Sequence, residues 1–459
     1  MSPKFGTSGI RGLAIELTDD VITGYVQAFL TSCEHGGTVH VGRDLRASSP
    51  QISAAVINAV RFSGLDVVEH GEISTPALAY FAMRRGHGSI MITGSHIPED
   101  RNGLKFYTTS GEITKDDEVR ILENLGRGYE APRAGHCRYE TAALDLYIAR
   151  YVNGFGEGAL SGLRIGLYEH SSVARDVLRS ILEKLGVEVV SFERSEIFIP
   201  IDTEAVEWGT RQKFQRWCRD FELDAVVSTD GDGDRPLVTD EFGNLILGDV
   251  LGPLTARLLN ADAICTPISS NSLVDVLNFE KVHRTKIGSP YVIAAMQEVD
   301  GAVVGYEANG GFILGYDACG PNGELAPLIT RDCMLPILGS LSLAKQKGTT
   351  LSELVGRLPA RVTISDRLSN MPSDWSRNFI DRLLEDRVLF SQFFGDSEHI
   401  KSIDVLDGLR VTRADSTIIH FRPSGNAPEF RCYIEAHSME AAEVLLESSL
   451  RKVKKQISA

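Results

Sequence analysis

Three aspartates at alternate positions, Asp230, Asp232 and Asp234 in the run DGDGD, are the densest chemistry in this sequence. Carboxylates separated by single glycines let a tight loop aim several oxygens at one point, an arrangement suited to hard cations such as Mg²⁺ and Ca²⁺. Three other readings of the same residues stay open. An EF-hand loop would carry Gly where Arg235 stands and would follow a helix, whereas the strand-like run AVVST precedes this one. A haloacid-dehalogenase-type phosphatase puts D-x-D after an apolar strand but wants Thr or Val where Asp234 stands. A solvated acidic turn needs no ion, but its clustered carboxylates would repel one another.

Four further segments carry polar groups that could act with such a loop. Ser95, in Thr93-Gly94-Ser95-His96-Ile97-Pro98, could be a nucleophile beside its neighbouring histidine, or a plain turn residue. A hydrolase elbow would need Gly where Ile97 stands. Near a divalent cation and a basic residue such as Lys105, a serine can carry a phosphoryl group. The run Arg422-Pro423-Ser424-Gly425-Asn426-Ala427-Pro428-Glu429, with Arg431 beyond, offers a guanidinium fork, a hydroxyl and two residues tolerant of positive φ. That makes a phosphate clamp or an ordinary hairpin turn. Glu307 and Asn309, in EANGG, can hydrogen-bond vicinal hydroxyls or cap a turn. Phe5-Gly6-Thr7-Ser8-Gly9-Ile10-Arg11-Gly12 can wrap an anion, with Phe5 and Ile10 as apolar anchors.

The elements that must position these loops follow a repeating pattern. Thr38–Asp44, Leu163–Ser172 and Ala261–Ser270 are each strand-like, and an amphipathic or apolar run follows each. Each unit then reaches a second apolar run that empties into a polar loop: Gly88–His96, Leu223–Asp234 and Asp300–Gly311. Alternating runs of this kind predict βαβ units and a mostly parallel sheet. Ligands in open α/β sheets sit at the carboxyl ends of strands. The expected architecture is therefore α/β, with three related domains of mixed, mostly parallel sheets whose loops converge on a central cleft. From about Asp366 the pattern changes to a helix, short strands and a closing helix, which predicts a C-terminal α+β domain. The expected divisions are 1–150, 151–250, 251–365 and 366–459.

Composition limits the partners. With 47 Lys and Arg against 62 Asp and Glu, the net charge is −15, which argues against nonspecific binding to nucleic acid or an anionic membrane. Small phosphorylated ligands remain compatible, since a few local cations suffice. The seven cysteines are scattered without a CxxC pair, so neither a disulfide framework nor a zinc site is expected, and a reducing, cytoplasmic setting fits. The opening MSPKFGTSGIRG has no apolar core of a secretory signal, and no stretch approaches 18 apolar residues.

Together the five segments resemble the α-D-phosphohexomutase superfamily, over essentially the whole chain and in the family's order. FGTSGIRG resembles its N-terminal signature, GRDLRASS (Gly42 to Ser49) its G-R-D-x-R-x-S segment, TGSHIPEDRNGLK its phosphoserine signature, and DGDGDR its metal loop. The resemblance implies three related α/β domains and a fourth that binds phosphate. It makes Ser95 the phosphorylated serine, and gives Asp230, Asp232, Asp234 and a phosphoryl oxygen on Ser95 the role of holding one Mg²⁺. Arg11, Lys105 and His96 would join Ser95 in catalysis. Thr7, Ser8, Arg235, Lys286, Glu307, Asn309, Arg422, Ser424, Gly425, Asn426 and Arg431 would bind substrate.

The sequence departs from the family pattern where G-E-x-S-G, often followed by His, is usual: Tyr306, Asn309 and Gly311 replace the Gly, Ser and His. The K-x-G-H element appears as Lys286-Ile287-Gly288-Ser289, again without His; Gly94 replaces Ala, and Ile97 replaces Asn. Acid–base work is then expected of Lys105 with a lowered pKa, with Arg11 and His96 as alternatives. The EANGG form is similar to a bacterial phosphomannomutase branch. The implied activity is interconversion of mannose 6-phosphate and mannose 1-phosphate through phosphoserine and a hexose 1,6-bisphosphate, which is also the expected activator. Alternatives are a phosphoglucomutase, a sugar-phosphate phosphatase using the Asp loop as nucleophile, and a non-catalytic phosphosugar sensor. The expected partners are hexose phosphates, with neither nucleic acid nor membrane, in a monomer or homodimer.

Overall fold

The computed structural model describes residues 3–6, 9–128, 131–424 and 428–457. The chain divides into two compact units: Met1–Cys265 with Phe279–His283 and Gly288–Val355, and Thr266–Asn278 with Arg284–Ile287 and Gly356–Ala459. No helix among the described residues is long and apolar enough to cross a membrane.

Three sheets repeat one topology. In the first, Thr38–Arg43 lies between Asp66–Glu72 and Gly88–Ile92, parallel to both, and Arg101–Thr108 returns antiparallel beside Gly88–Ile92. In the second, Arg164–Tyr168 lies between Glu188–Phe192 and Ala225–Thr229, again parallel to both, and Pro236–Thr239 returns antiparallel. In the third, Ala263–Pro267 lies between Lys281–Thr285 and Val303–Tyr306, and Phe312–Leu314 returns antiparallel. The predicted repeats therefore share one strand order. The Ser95, Asp230 and Glu307 loops occupy the same place in it, between the third strand and its antiparallel return. All five residues of Gly88–Ile92 and of Ala225–Thr229 are buried, as continuous apolar runs in parallel strands require.

The helix Ser49–Phe62, with Pro50 in its first turn, buries Ile52, Ala55, Val56, Ala59 and Val60. That spacing is the apolar stripe of a helix lying on a sheet. In the same core Phe29 stacks on Phe106, ring centroids 4.9 Å apart.

The second unit carries an antiparallel sheet in the order Val362–Ser369, Glu429–Ala436, Ile418–Pro423, Leu409–Arg413, Ile400–Asp404. The helices Ser373–Glu385, Arg387–Phe394 and Met439–Ile457 share its core around Phe379, Phe393, Phe394, Phe421 and Phe430. This is the α+β arrangement expected of the C-terminal part, opened by a strand before the helix. The expected divisions at 150, 250 and 365 fall within the helices Ala142–Phe155 and Gly248–Leu258 and the strand Val362–Ser369. Periodicity marks that an element exists far better than where it ends.

Three histidines cross the first sheet as one hydrogen-bonded chain. His40 Nδ1 lies 2.8 Å from His70 Nε2, and His40 Nε2 lies 3.0 Å from His87 Nδ1. Phe81 meets His40 and His70 edge-on, and Arg85, Arg138 and Glu140 are the charged groups around them. Burial, then its imidazole neighbours, pushes His40 down to about 3; burial pushes His70 down to about 4. An unfolded histidine titrates near 6.5, so the unfolded chain binds more protons below that pH. The stability these groups contribute is full above about 6.5 and falls as pH drops toward 4. The melting temperature should decline across that interval, and His40→Gln, which cannot titrate there, should flatten the decline. An unchanged slope in that variant would remove the stack as its source.

Candidate active site

Ser95 sits where its strand has ended and the backbone turns back. Its φ is 54°, a left-handed conformation that non-glycine residues adopt at a cost and that persists where surroundings enforce it. Arg46 does much of the enforcing. Its guanidinium donates to the carbonyls of Ser95 (2.9 Å), Ile97 (2.6 Å), Pro98 (2.7 Å) and Arg101 (3.0 Å), and through Nε to Asp44 (3.2 Å). A β-carbon at Gly94 would lie 2.6 Å from Arg46 Cζ, so any side chain there would displace the guanidinium. Asp44 also accepts from Ser49 and from Thr93, whose hydroxyl in turn accepts from the Ser95 N–H. The motif GRDLRASS was legible in the sequence, but the staple made by its second arginine was not.

The acidic loop meets this serine directly. Ser95 Oγ donates to Asp230 Oδ2 at 2.5 Å. Asp230, Asp232 and Asp234 are buried and offer oxygens within 4.8 Å of one another. Donors hold the second oxygen of Asp230 as well, and one oxygen of each of the others: the Asp234 and Arg235 N–H groups hold Asp230 Oδ1, Thr75 and Lys105 hold Asp232 Oδ2, and Lys105 and Arg331 hold Asp234 Oδ2. Asp232 Oδ1 and Asp234 Oδ1 are buried without a hydrogen-bond partner. Buried carboxylate oxygens left bare are costly, and a hard cation is the ligand that satisfies them. The residues therefore fit a divalent metal.

Cations counterbalance the loop. Lys105 Nζ lies 2.6 Å from both Asp232 and Asp234, and Arg331 Nη2 lies 2.7 Å from Asp234. Burial works against Asp234, yet Arg331, Lys105 and Arg235 hold its carboxylate well below the usual range. Burial and the two neighbouring aspartates push Asp230 far upward. The expectation for Lys105 is corrected: burial alone would lower its pKa, but Asp232 and Asp234 outweigh burial and raise it. Lys105 is held as a cation between the two carboxylates. His96 is the opposite case. Burial, Arg235 and Arg11 push its imidazole well down, and its Nδ1 lies 3.3 Å from Ser95 Oγ. Arg11 sits opposite Gly103 in the sheet and is lowered to about 10 by burial and by Arg235 and Arg331. Guanidinium groups crowded in this way create a place for an oxyanion.

The third loop joins the same centre. Glu307 Oε2 accepts from Asn309 Nδ2 (3.0 Å), and Asn309 Oδ1 accepts from the Gly311 N–H (2.9 Å). Arg331 Nη1 reaches Glu307 Oε1 at 3.4 Å. Arg331 and Thr75 were not singled out in the sequence; their roles arise only from pairing with residues distant in the chain.

In the second unit, Arg422 Nε donates to Asp407 Oδ2 (2.9 Å), which also accepts from the Ile287 N–H (3.0 Å). Lys286 is thereby held in the same unit as Arg422. The Ser424 N–H donates to Glu429 O, and Arg431 pairs with the Glu429 carboxylate (3.1 Å). Arg367, Arg431 and Arg422 stand in one cross-strand row. Like charges placed opposite one another are unfavourable, and Glu429, which pairs with Arg367 and Arg431, and Asp407, which pairs with Arg422, relieve them. Arg367 and Asp407 carried no signal in the sequence. Thr7, Ser8, Gly425 and Asn426 lie outside the described residues.

Titration calorimetry with Mg²⁺ or Mn²⁺ should register one divalent ion per chain, and Asp232→Ala should abolish the heat. Undiminished binding by that variant would place the ion elsewhere.

Family models for the phosphoglucomutase/phosphomannomutase α/β/α domains I and III match residues 2–131 and 243–362. A phosphomannomutase of Sinorhizobium fredii is 46% identical over 98% of this chain and 98% of its own length. One from Salmonella muenchen is 45% identical over 99% of this chain and 96% of its own. A crystal structure of a phosphoglucomutase/phosphomannomutase family protein from Burkholderia thailandensis has the same fold. Its TM-score is 0.79, at 22% identity, over 98% of this chain and 97% of that one. With this sequence similarity along nearly its whole length, the chain belongs to the phosphoglucomutase/phosphomannomutase family.

Proposed function

We propose that this chain is a phosphomannomutase, an intramolecular phosphotransferase that interconverts mannose 6-phosphate and mannose 1-phosphate. The observation that carries the reading is the 2.5 Å contact between Ser95 Oγ and Asp230, inside a cation-lined acidic loop. Sequence likeness to two phosphomannomutases along almost all of the chain supports mannose over glucose. We take the four sheet-bearing segments, divided near residues 150, 250 and 365, as four domains.

In this reading Ser95 carries the phosphoryl group, and Asp230, Asp232 and Asp234 hold Mg²⁺. The ion, when bound, supplies positive charge to the phosphoryl oxygens. Arg11, Lys105 and Arg235 surround the group with further cations; charge neutralisation and positioning are what phosphoryl transfer chiefly needs. A free sugar hydroxyl attacks phosphorus, a new P–O bond forms, and the bond to Ser95 Oγ breaks. The hydroxyl proton must move to the departing Oγ. His96, neutral and with Nδ1 3.3 Å from Ser95 Oγ, is the group placed to relay it, while Lys105 and Arg11 stand by as cations. The resulting hexose 1,6-bisphosphate turns and gives its other phosphate back to Ser95. Glu307 and Asn309 read sugar hydroxyls. Arg422, Arg431, Lys286 and Ser424, with Thr7, Ser8, Gly425 and Asn426, bind the ends of the substrate.

Mannose 1-phosphate, followed by ³¹P NMR with Mg²⁺ and a trace of hexose 1,6-bisphosphate, should give mannose 6-phosphate faster than glucose 1-phosphate gives glucose 6-phosphate. Release of inorganic phosphate, or glucose as the faster substrate, would contradict this reading.

A further inference from the structure

The buried guanidinium of Arg331 is held by carboxylates from two different loops. Nε and Nη2 donate to Asp234 Oδ2 at 3.1 and 2.7 Å, and Nη1 donates to Glu307 Oε1 at 3.4 Å. Asp234 belongs to the acidic loop of the second sheet, and Glu307 to the loop of the third. Arg331 itself lies on Leu328–Asp332, which pairs with Phe312–Leu314, the strand that leaves the Glu307 loop. The platform is firm. The neighbouring Asp332 accepts from Tyr147 (2.5 Å), from Tyr151 and from the Met334 N–H. The path of the side chain is also prepared. A β-carbon at Gly311 would come within 2.5 Å of Arg331 Cδ and 2.8 Å of its Cγ, so only glycine lets the arginine through.

We propose that Arg331 is a positioning residue that ties the Glu307 loop to the acidic loop, fixing where Glu307 stands relative to Asp234. The planar fork matters more than the charge. It presents N–H groups from two edges of one rigid plane to two carboxylates that come from different sheets, a fixed geometry that an ammonium on a flexible stem does not impose. Glu307 is thereby held on both oxygens, by Arg331 at Oε1 and by Asn309 at Oε2. Its orientation is set before a sugar arrives. The inference rests on the reading of Glu307 as a residue that binds sugar hydroxyls.

The test is a double-mutant cycle in the full chain, phosphorylated at Ser95, with kcat and KM measured on mannose 1-phosphate. Arg331→Lys should lower kcat/KM by about 100-fold, the scale of an ångström-sized misplacement. Placed on Glu307→Ala, the same change should cost no more than about twofold, because the group it positions is already gone. Gly311→Ala displaces Arg331 without altering any charge and should reproduce the loss. It also serves if Arg331→Lys fails to fold, which circular dichroism would reveal. Equal losses in the two Glu307 backgrounds would overturn the proposal, as would full activity in Gly311→Ala. Turnover by the unsubstituted chain tests the mutase reading separately, so the two can fail independently.

Discussion

Three carboxylates gathered where water is largely excluded repel one another strongly, and the surrounding architecture answers that repulsion. Asp230, Asp232 and Asp234 can stand together only if positive charge is brought to them. It arrives from separate parts of the chain: Lys105 from the first sheet, Arg331 from the third, and Arg235 from the loop itself. Lys105 and Arg331 take the Oδ2 atoms of Asp232 and Asp234, so that the Oδ1 atoms remain without a hydrogen-bond donor and can meet an ion. The charges that make the acidic loop tolerable are thus also those that would meet a phosphoryl group.

The repeated strand order explains how such distant residues meet. In each sheet the third parallel strand ends in a loop that returns antiparallel, and each of those loops carries one component of the centre. The first supplies the serine, the second the carboxylates, and the third the glutamate and asparagine. Under the proposed function, a single module used three times would provide the phosphoryl carrier, the charge store and the hydroxyl reader. Cross-links between modules, such as Ser95 to Asp230 and Arg331 to both Asp234 and Glu307, set their alignment.

Much of this was legible in the sequence, because loop motifs are local. DGDGD, TGSH and EANGG stand out by the residues inside them, and the apolar run before each marks the strand that presents it. What stayed hidden was every role created by a partner far along the chain. Arg46 looks like one arginine of a motif until its guanidinium is found on four carbonyls of the Ser95 loop. Gly311 looks like a lost histidine until Arg331 is seen passing over it. Lys105 was misjudged for the same reason. Burial argues for a lowered pKa, and only the structure shows two carboxylates 2.6 Å away that reverse the sign. The ends of elements were also blurred, as the strand Val362–Ser369 running through residue 366 illustrates.

In the proposed reaction every phosphoryl group passes through Ser95 Oγ. Incubation with radiolabelled hexose 1,6-bisphosphate, followed by peptide mapping, tests it most directly. An acid-stable label should appear on the peptide containing Ser95, with none in Ser95→Ala. An acid- and base-labile label on the peptide containing Asp230, persisting in Ser95→Ala, would contradict it and make the aspartate the nucleophile.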